Sequence, residues 1–118
     1  VVGLGISGIA TALRLHRAGW EVVVLEKAAE RLGIDLPDRF STVPVALRQD
    51  NAGVEADIRD RVANTVTTER FDLVVGAAGL RSTVRRLMFG PDEGRIHRLG
   101  YMLAACSLPG YGFEDGLS

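Results

Sequence analysis

Cysteine, lysine and aromatic side chains are scarce in this chain, and long apolar runs are absent. Cys106 is the only cysteine in 118 residues, which excludes an internal disulfide and fits a reducing, cytoplasmic setting. In its apolar surroundings it reads as a small buried hydrophobe. Neither His16 nor His97 has a second histidine or a cysteine at ligand spacing, so no metal site is expected. No segment approaches the ~20 apolar residues of a membrane-spanning helix, and no signal peptide is read. Lys27 is the only lysine, the other basic residues are arginines without a basic stripe, and the formal net charge is -1. Neither nucleic acid nor membrane is therefore an expected partner. No serine-histidine-acid set and no carboxylate pair has the spacing of a hydrolase. What remains is the composition of a globular domain, 47% hydrophobic and 25% charged, long enough to bury roughly two thirds of its unfolded surface.

Glycine, by contrast, is plentiful, with 14 residues, and three of them open the chain as Gly3-Leu4-Gly5-Ile6-Ser7-Gly8. The spacing alone would arise by chance in a glycine-rich sequence, so its context has to carry the weight. Val1-Val2 precedes it as a short strand that looks clipped. Ser7 to Ala18 places Ile9, Ala12, Leu13 and His16 at helical offsets, with Gly19 as a stop. Glu21 to Glu26 is then a β-branched run with almost no polar break, as a parallel strand covered on both faces would be. Strand, glycine turn, helix, strand and terminal acid together form the pattern of a dinucleotide site. Gly3 would allow the turn, Gly5 a close approach of pyrophosphate, and Gly8 close packing of helix on strand. The phosphates would meet free N–H groups at the positive end of the helix, and Glu26 could accept the ribose hydroxyls of an adenosine.

Farther along, residues Glu30 to Pro44 show no sustained period and read as loop. Short alternating runs at Val43–Arg48, Val54–Arg59 and Val62–Glu69, with turn residues between them, predict a small antiparallel meander. Phe71–Gly76 reads as a second fully apolar strand, Ser82–Met88 as a short helix capped by Ser82, and Leu99–Leu108 as one more strand. Trp20 is expected to cover the end of the first helix, and Arg85 and Arg86 to lie on a solvated helix face.

The stretch Asp72-Leu73-Val74-Val75-Gly76-Ala77-Ala78-Gly79-Leu80-Arg81-Ser82-Thr83-Val84-Arg85 resembles the second fingerprint of the FAD-dependent aromatic hydroxylases and monooxygenases, the para-hydroxybenzoate hydroxylase-like flavoproteins. That pattern has an acid, three apolar residues, Gly-Ala-Asp-Gly, a variable residue, Arg-Ser, two residues and Arg. The opening VVGLGISGIATALRLHRAGWEVVVLEK resembles the same family's FAD pyrophosphate motif, and RLGYMLAACSLPGY its entry into the substrate domain. Ala78 departs from the family's Asp, and removes an acceptor of charge-assisted hydrogen bonds. The family's long helical segment after the Glu26 strand and its third, Gly-Asp-Ala motif have no counterpart here. An incomplete chain, with breaks near residues 31–40, is the expectation.

The resemblance implies an α/β fold: a Rossmann-like FAD-binding domain with a parallel sheet, an antiparallel meander and the start of a substrate-domain β-sheet. Residues 1–94 would form the FAD-binding domain and residues 95–118 the beginning of the substrate-binding sheet. It implies that Gly3, Gly5, Ile6, Ser7 and Gly8 lie at the FAD pyrophosphate, Glu26 at the ribose and Lys27 at the adenine end. Gly76, Ala77, Ala78, Gly79 and Arg81 would line a second wall, Arg81 offering its planar donors to a phosphate or a ring face. The activity implied is that of a monooxygenase: NAD(P)H reduces FAD, dioxygen gives a flavin C4a-hydroperoxide, and an aromatic or polyketide-like small molecule is hydroxylated. No side chain is assigned a catalytic role, since the cofactor carries the chemistry. Two other readings stay open. One is a different nucleotide oxidoreductase, NAD-linked or of the disulfide-reductase type; Arg81-Ser82 argues against the first and the missing cysteine pair against the second. The other is a degenerate, non-catalytic FAD-binding module.

Overall fold

The computed structural model describes residues 1–28, 38–97 and 99–101. Its first regular element is the helix α1, Ile6–Arg17, one residue ahead of the span that periodicity predicts. Two short parallel strands follow, β1 (Val24–Leu25) and β2 (Asp38–Arg39). An antiparallel meander comes next, formed by β3 (Thr42–Asp50), β4 (Gly53–Asp60) and β5 (Thr65–Phe71) in the order β3-β4-β5. A single 3-10 turn at Gly79–Arg81 leads into the helix α2, Thr83–Phe89.

The meander is the most regular part because both of its turns are chemically specified. The Asp50 carboxylate accepts the Ala52 N–H at 2.8 Å, and Asp60 accepts the N–H groups of Val62 at 2.8 Å and Ala63 at 2.9 Å. These are the local side-chain bonds that make Asp a turn residue. Register follows from alternation: Ala56 and Ile58 are buried while Glu55, Asp57 and Arg59 point the other way. Pro44 can donate no ladder hydrogen bond; it sits on the edge strand β3 at a register shift between Pro44 and Ala46, a position proline tolerates. On the outer face Arg48 forms a two-pronged bond with Asp57 at 2.7 and 2.9 Å and a third bond with Glu55 at 2.7 Å. Thr68 donates to Asp57 at 2.8 Å.

The parallel part differs from expectation. A parallel Rossmann sheet is not seen among the described residues; in its place stand the two-residue β1·β2 pair and two isolated parallel bridges, Val2 with Leu25 and Val2 with Gly76. Val2 is the residue at which these bridges meet. The predicted strand Phe71–Gly76 is split, with Phe71 closing β5 and only Gly76 bridging to Val2. Of residues 30–44, expected as loop, 38–39 form β2 and 42 joins β3 together with 43–44, which also begin the predicted first run of the meander; residues 30–37 lie outside the described residues. Leu99, Gly100 and Tyr101 are not in a strand, and the rest of that predicted strand, with Cys106, lies outside the described residues.

Even so, the short parallel segment is covered on both faces, as its composition predicts. Val22 and Val24 join Leu4 and Ala12 in a cluster under α1, with Ile9, Leu13 and Leu15 packed against it. Leu25 and Val2 turn the other way, onto Ala56 and Ile58 of the meander, with Val23, Phe71 and Val84 alongside. Helix, parallel segment and meander are thus three layers with two cores. Trp20 stays 44% exposed while its N–H donates to Leu15 O at 3.1 Å, which sets it at the end of α1. No described helix is long and apolar enough to cross a membrane.

Two expectations follow. Ile58→Ala, at a site 3% exposed, should cost about 2–5 kcal/mol as a large-to-small core change, read as a lower urea midpoint. Asp57, held by Arg48 and then Thr68, has its pKa lowered from 3.8 to about 2. The unfolded chain therefore takes up this proton first as pH falls, so the contribution of Asp57 is full above about pH 4 and lost toward pH 2. Asp57→Asn should flatten the stability curve in that window, measured by urea unfolding at each pH.

Candidate functional site

The first glycine turn is built by Val2. Its N–H donates to Val75 O at 2.8 Å, its carbonyl accepts from Ala77 N at 2.7 Å, and Gly3 N donates to Leu25 O at 2.9 Å. The chain is thereby held between the β1 end and the second glycine motif. At Gly3 it turns with φ +102°, and a Cβ there would lie 2.8 Å from Ala77 O and from Ala78 N and Cα. Only glycine meets both demands. A Cβ at Gly8 would stand 1.9 Å from Gly3 O, so the first turn of α1 rests directly on the backbone of the loop. Gly5 is different: nothing lies within 4 Å of its Cβ position, and no protein contact explains it. Gly5 caps α1 in an extended conformation without a side-chain hydrogen bond, and no acid occupies the first turn. The N–H groups of that turn have no intrahelical acceptor and, with Ile6 91% exposed and Ser7 exposed beside them, front an open space.

Glu26 sits at the end of β1 and closes the loop from the other side. One carboxylate oxygen accepts Leu4 N–H at 2.7 Å and the other Ala28 N–H at 2.8 Å. Its own N–H donates to Arg39 O at 2.9 Å and its carbonyl accepts from Thr42 N at 3.0 Å. Each carboxylate oxygen keeps a second lone pair for a further donor. Lys27 is exposed, and its carbonyl accepts from Arg61 Nη1 at 3.2 Å.

The second motif turns at Gly79, φ +62°. Ser82 then caps α2 by accepting Arg85 N–H at 3.2 Å, as its sequence position predicts. A Cβ on Gly76 would meet the Val84 side chain at 2.9 Å, so α2 packs closely on this strand end. The two motifs converge on one cavity of about 380 Å³, lined by Ser7, Gly76, Ala77, Gly79, Ser82 and Arg85. Arg81 is not brought there. It lines a separate, larger cavity of about 1090 Å³ with Leu80, Asp92, Ile96, His97 and Tyr101.

Arg85 is the residue that periodicity misplaces. Instead of lying on a solvated face, it is 28% exposed, donates to Leu80 O at 2.6 Å and pairs with Asp92 at 2.7 Å. The sequence signal for it is weak, because the Gly90-Pro91 turn that returns Asp92 to the helix breaks any regular spacing. The cavity as a whole combines the first turn of α1 at Ser7, a guanidinium and glycine-lined walls, which suits an anionic, phosphate-bearing ligand. Among the described residues no group of His, Cys, Asp and Glu is placed to hold a metal ion.

Comparison with known proteins gives a consistent result. The family model for the FAD binding domain matches residues 28–102. An uncharacterized protein of Mycobacterium tuberculosis is 51% identical over 51 residues, covering 39% of this chain and 14% of that protein. A flavin-dependent monooxygenase of Legionella longbeachae is 29% identical over 77 residues, 65% of this chain and 18% of its own length. The crystal structure of the tetracycline destructase Tet(51) superposes with a TM-score of 0.65 at 22% identity, over 78% of this chain and 40% of that one; at that identity it is the fold that is shared. The chain spans less than a fifth of the length of the curated relatives it matches.

The packing at Gly8 is directly testable. Gly8→Ala puts a methyl group into backbone and should lower stability by at least the ~1–3 kcal/mol of an overpacked site, seen as a reduced urea midpoint in ligand-free protein.

Proposed function

The chain belongs to the FAD-binding-domain family, and from that membership we propose that it forms the adenosine-pyrophosphate half of an FAD site in a flavin-dependent monooxygenase. One observation carries the reading: the start of α1, where no side chain caps the free N–H groups, reaches through Ser7 the same cavity as the second glycine turn.

In this reading Gly3 and Gly8 set the approach of helix and strand, and the N–H groups around Gly5, Ile6 and Ser7 receive the pyrophosphate. Glu26, already fixed by Leu4 and Ala28, offers its remaining lone pairs to the adenosine ribose. Lys27 serves the adenine end. Gly76, Ala77, Ala78 and Gly79 form the second wall, and Arg81 directs its guanidinium to a phosphate or ring face at the neighbouring cavity. The residues fit the group on structural grounds, since the space beside Gly5 and Gly79 is open and the donors at the helix start have no intrahelical acceptor. Bound FAD would supply the redox chemistry, taking reducing equivalents from NAD(P)H so that one atom of dioxygen enters an aromatic or polyketide-like substrate. The work of this chain is to bind and orient the cofactor, with residues 1–94 as the FAD-binding domain and residues 95–118 as the start of the substrate-binding sheet.

Titration with FAD, followed by flavin fluorescence and absorbance, tests the reading. Saturable binding with a yellow product is expected, and NAD(P)H oxidation stimulated by a phenolic compound extends it to the monooxygenase activity. Protein that stays colourless and takes up no FAD sinks it. Gly5→Ala should lower stability by no more than the ~1 kcal/mol of an N-cap change yet weaken FAD binding about tenfold, equivalent to ~1.4 kcal/mol, because its methyl group enters the space assigned to phosphate.

A further inference from the structure

The turn Gly79–Arg81, which presents the second glycine wall, is poorly supported by packing. Leu80 is 70% exposed, Arg81 is exposed, and nothing lies within 4 Å of a Cβ on Gly79. Position 78 contributes an alanine and thus no carboxylate. One backbone bond, Ser82 N to Gly79 O at 3.1 Å, closes the turn. The rest of its support comes from a side chain farther along. Arg85 donates from Nη2 to Leu80 O at 2.6 Å, with Nη1 3.4 Å from Gly79 O. The same guanidinium is held from behind by Asp92 Oδ1, at 2.7 Å from Nη2 and 3.3 Å from Nε. Asp92 is itself anchored, since its carbonyl accepts Arg95 N at 3.0 Å and Ile96 N at 3.1 Å.

Placement adds a second point. Arg85 lines the smaller cavity, with Ser7 and Gly76, whereas Asp92 lines the larger one, with Arg81 and His97. The ion pair therefore stands between the two spaces, with one partner facing each. A guanidinium is rigid and planar, so fixing it at one edge fixes the direction of its remaining donors.

We infer that Asp92 is a positioning residue: through Arg85 it clamps the Gly79–Arg81 turn, which sets the shape of the second wall of the FAD site before any ligand arrives. The inference rests on the FAD reading given above for its functional consequence, but the clamp itself is a property of the ligand-free chain. Asp92 touches no ligand in this scheme; Arg85 is its close partner at 2.7 Å, with Arg86 Nη1 farther off at 3.9 Å.

The test uses the whole protein, with FAD affinity from fluorescence titration and, without FAD, amide hydrogen exchange at Ser82. Asp92→Asn should weaken FAD binding about five- to twentyfold, as loss of a charge-assisted bond implies. It should speed Ser82 exchange by a comparable factor and leave the urea midpoint unchanged. Arg85→Gln, which also removes the guanidinium lining the cavity, should weaken FAD binding at least as much, and adding Asp92→Asn to it should change little further, because the clamp is then already broken. Asp92→Asn with FAD affinity and Ser82 exchange both within twofold of wild type overturns the inference. So does an affinity loss that merely tracks a lower urea midpoint, or additive effects in the double variant. Wild-type protein that takes up no FAD overturns the functional reading instead, and Ser82 exchange then decides the clamp alone.

Discussion

Four hydrogen bonds at Glu26 hold the layers of this chain together. Its backbone joins β2 through Arg39 and the meander through Thr42, and its carboxylate reaches back to Leu4 in the glycine loop and forward to Ala28. One residue thus ties the start of α1, the end of the parallel segment and the first strand of the meander. Remove that junction and the loop backbone at Leu4 loses its acceptor, in a place where Leu4 is 4% exposed and water cannot easily substitute. The carboxylate that a nucleotide ribose would need is therefore a structural member first. Its geometry is set before any ligand arrives, which is the condition for tight binding without an ordering cost.

Around this junction the stabilisation is unevenly shared. The meander has long ladders, side-chain-bonded turns and an outer face laced by arginine and carboxylate groups. The parallel segment has only a two-residue pair and two bridges. It is kept in place by burial on both sides, where Val24 at 0% and Leu25 at 5% exposure face separate clusters. A fully buried side chain of that size is worth roughly 1.5–3 kcal/mol, more than exposed ion pairs supply. The glycine loop accordingly stands on a core rather than on a continuous sheet.

Much of the candidate site was legible from residues alone. Gly3 and Gly8 are glycines for reasons that a strand-turn-helix pattern encodes locally, and the clashes a Cβ would meet bear this out. The meander was readable because alternation and Asp-rich turns are local signals, although β3 and β4 run a residue or two past the predicted ends, and β5 begins at Thr65, with Val62, Ala63 and Asn64 of its predicted span in the turn. The Phe71–Gly76 strand failed because apolar composition does not by itself supply cover or a ladder: Leu73 is 50% exposed and only Gly76 bridges to Val2. Arg85 failed for a related reason. Helical periodicity places it on the outside, but α2 is short and the Gly90-Pro91 turn brings Asp92 back over that face.

The sequence by itself determined which residues must be small, which must be buried and where the chain must turn, since each of these depends on steric demand or on neighbours a few positions away. It also placed an acid at the end of β1. Only the tertiary structure decided that this acid closes the loop over Leu4, that the two glycine motifs share one cavity, and that Arg81 and Arg85 face different spaces. Those outcomes depend on contacts between segments distant in the chain, whose relative positions are fixed by the joint packing of the layers and by no local preference.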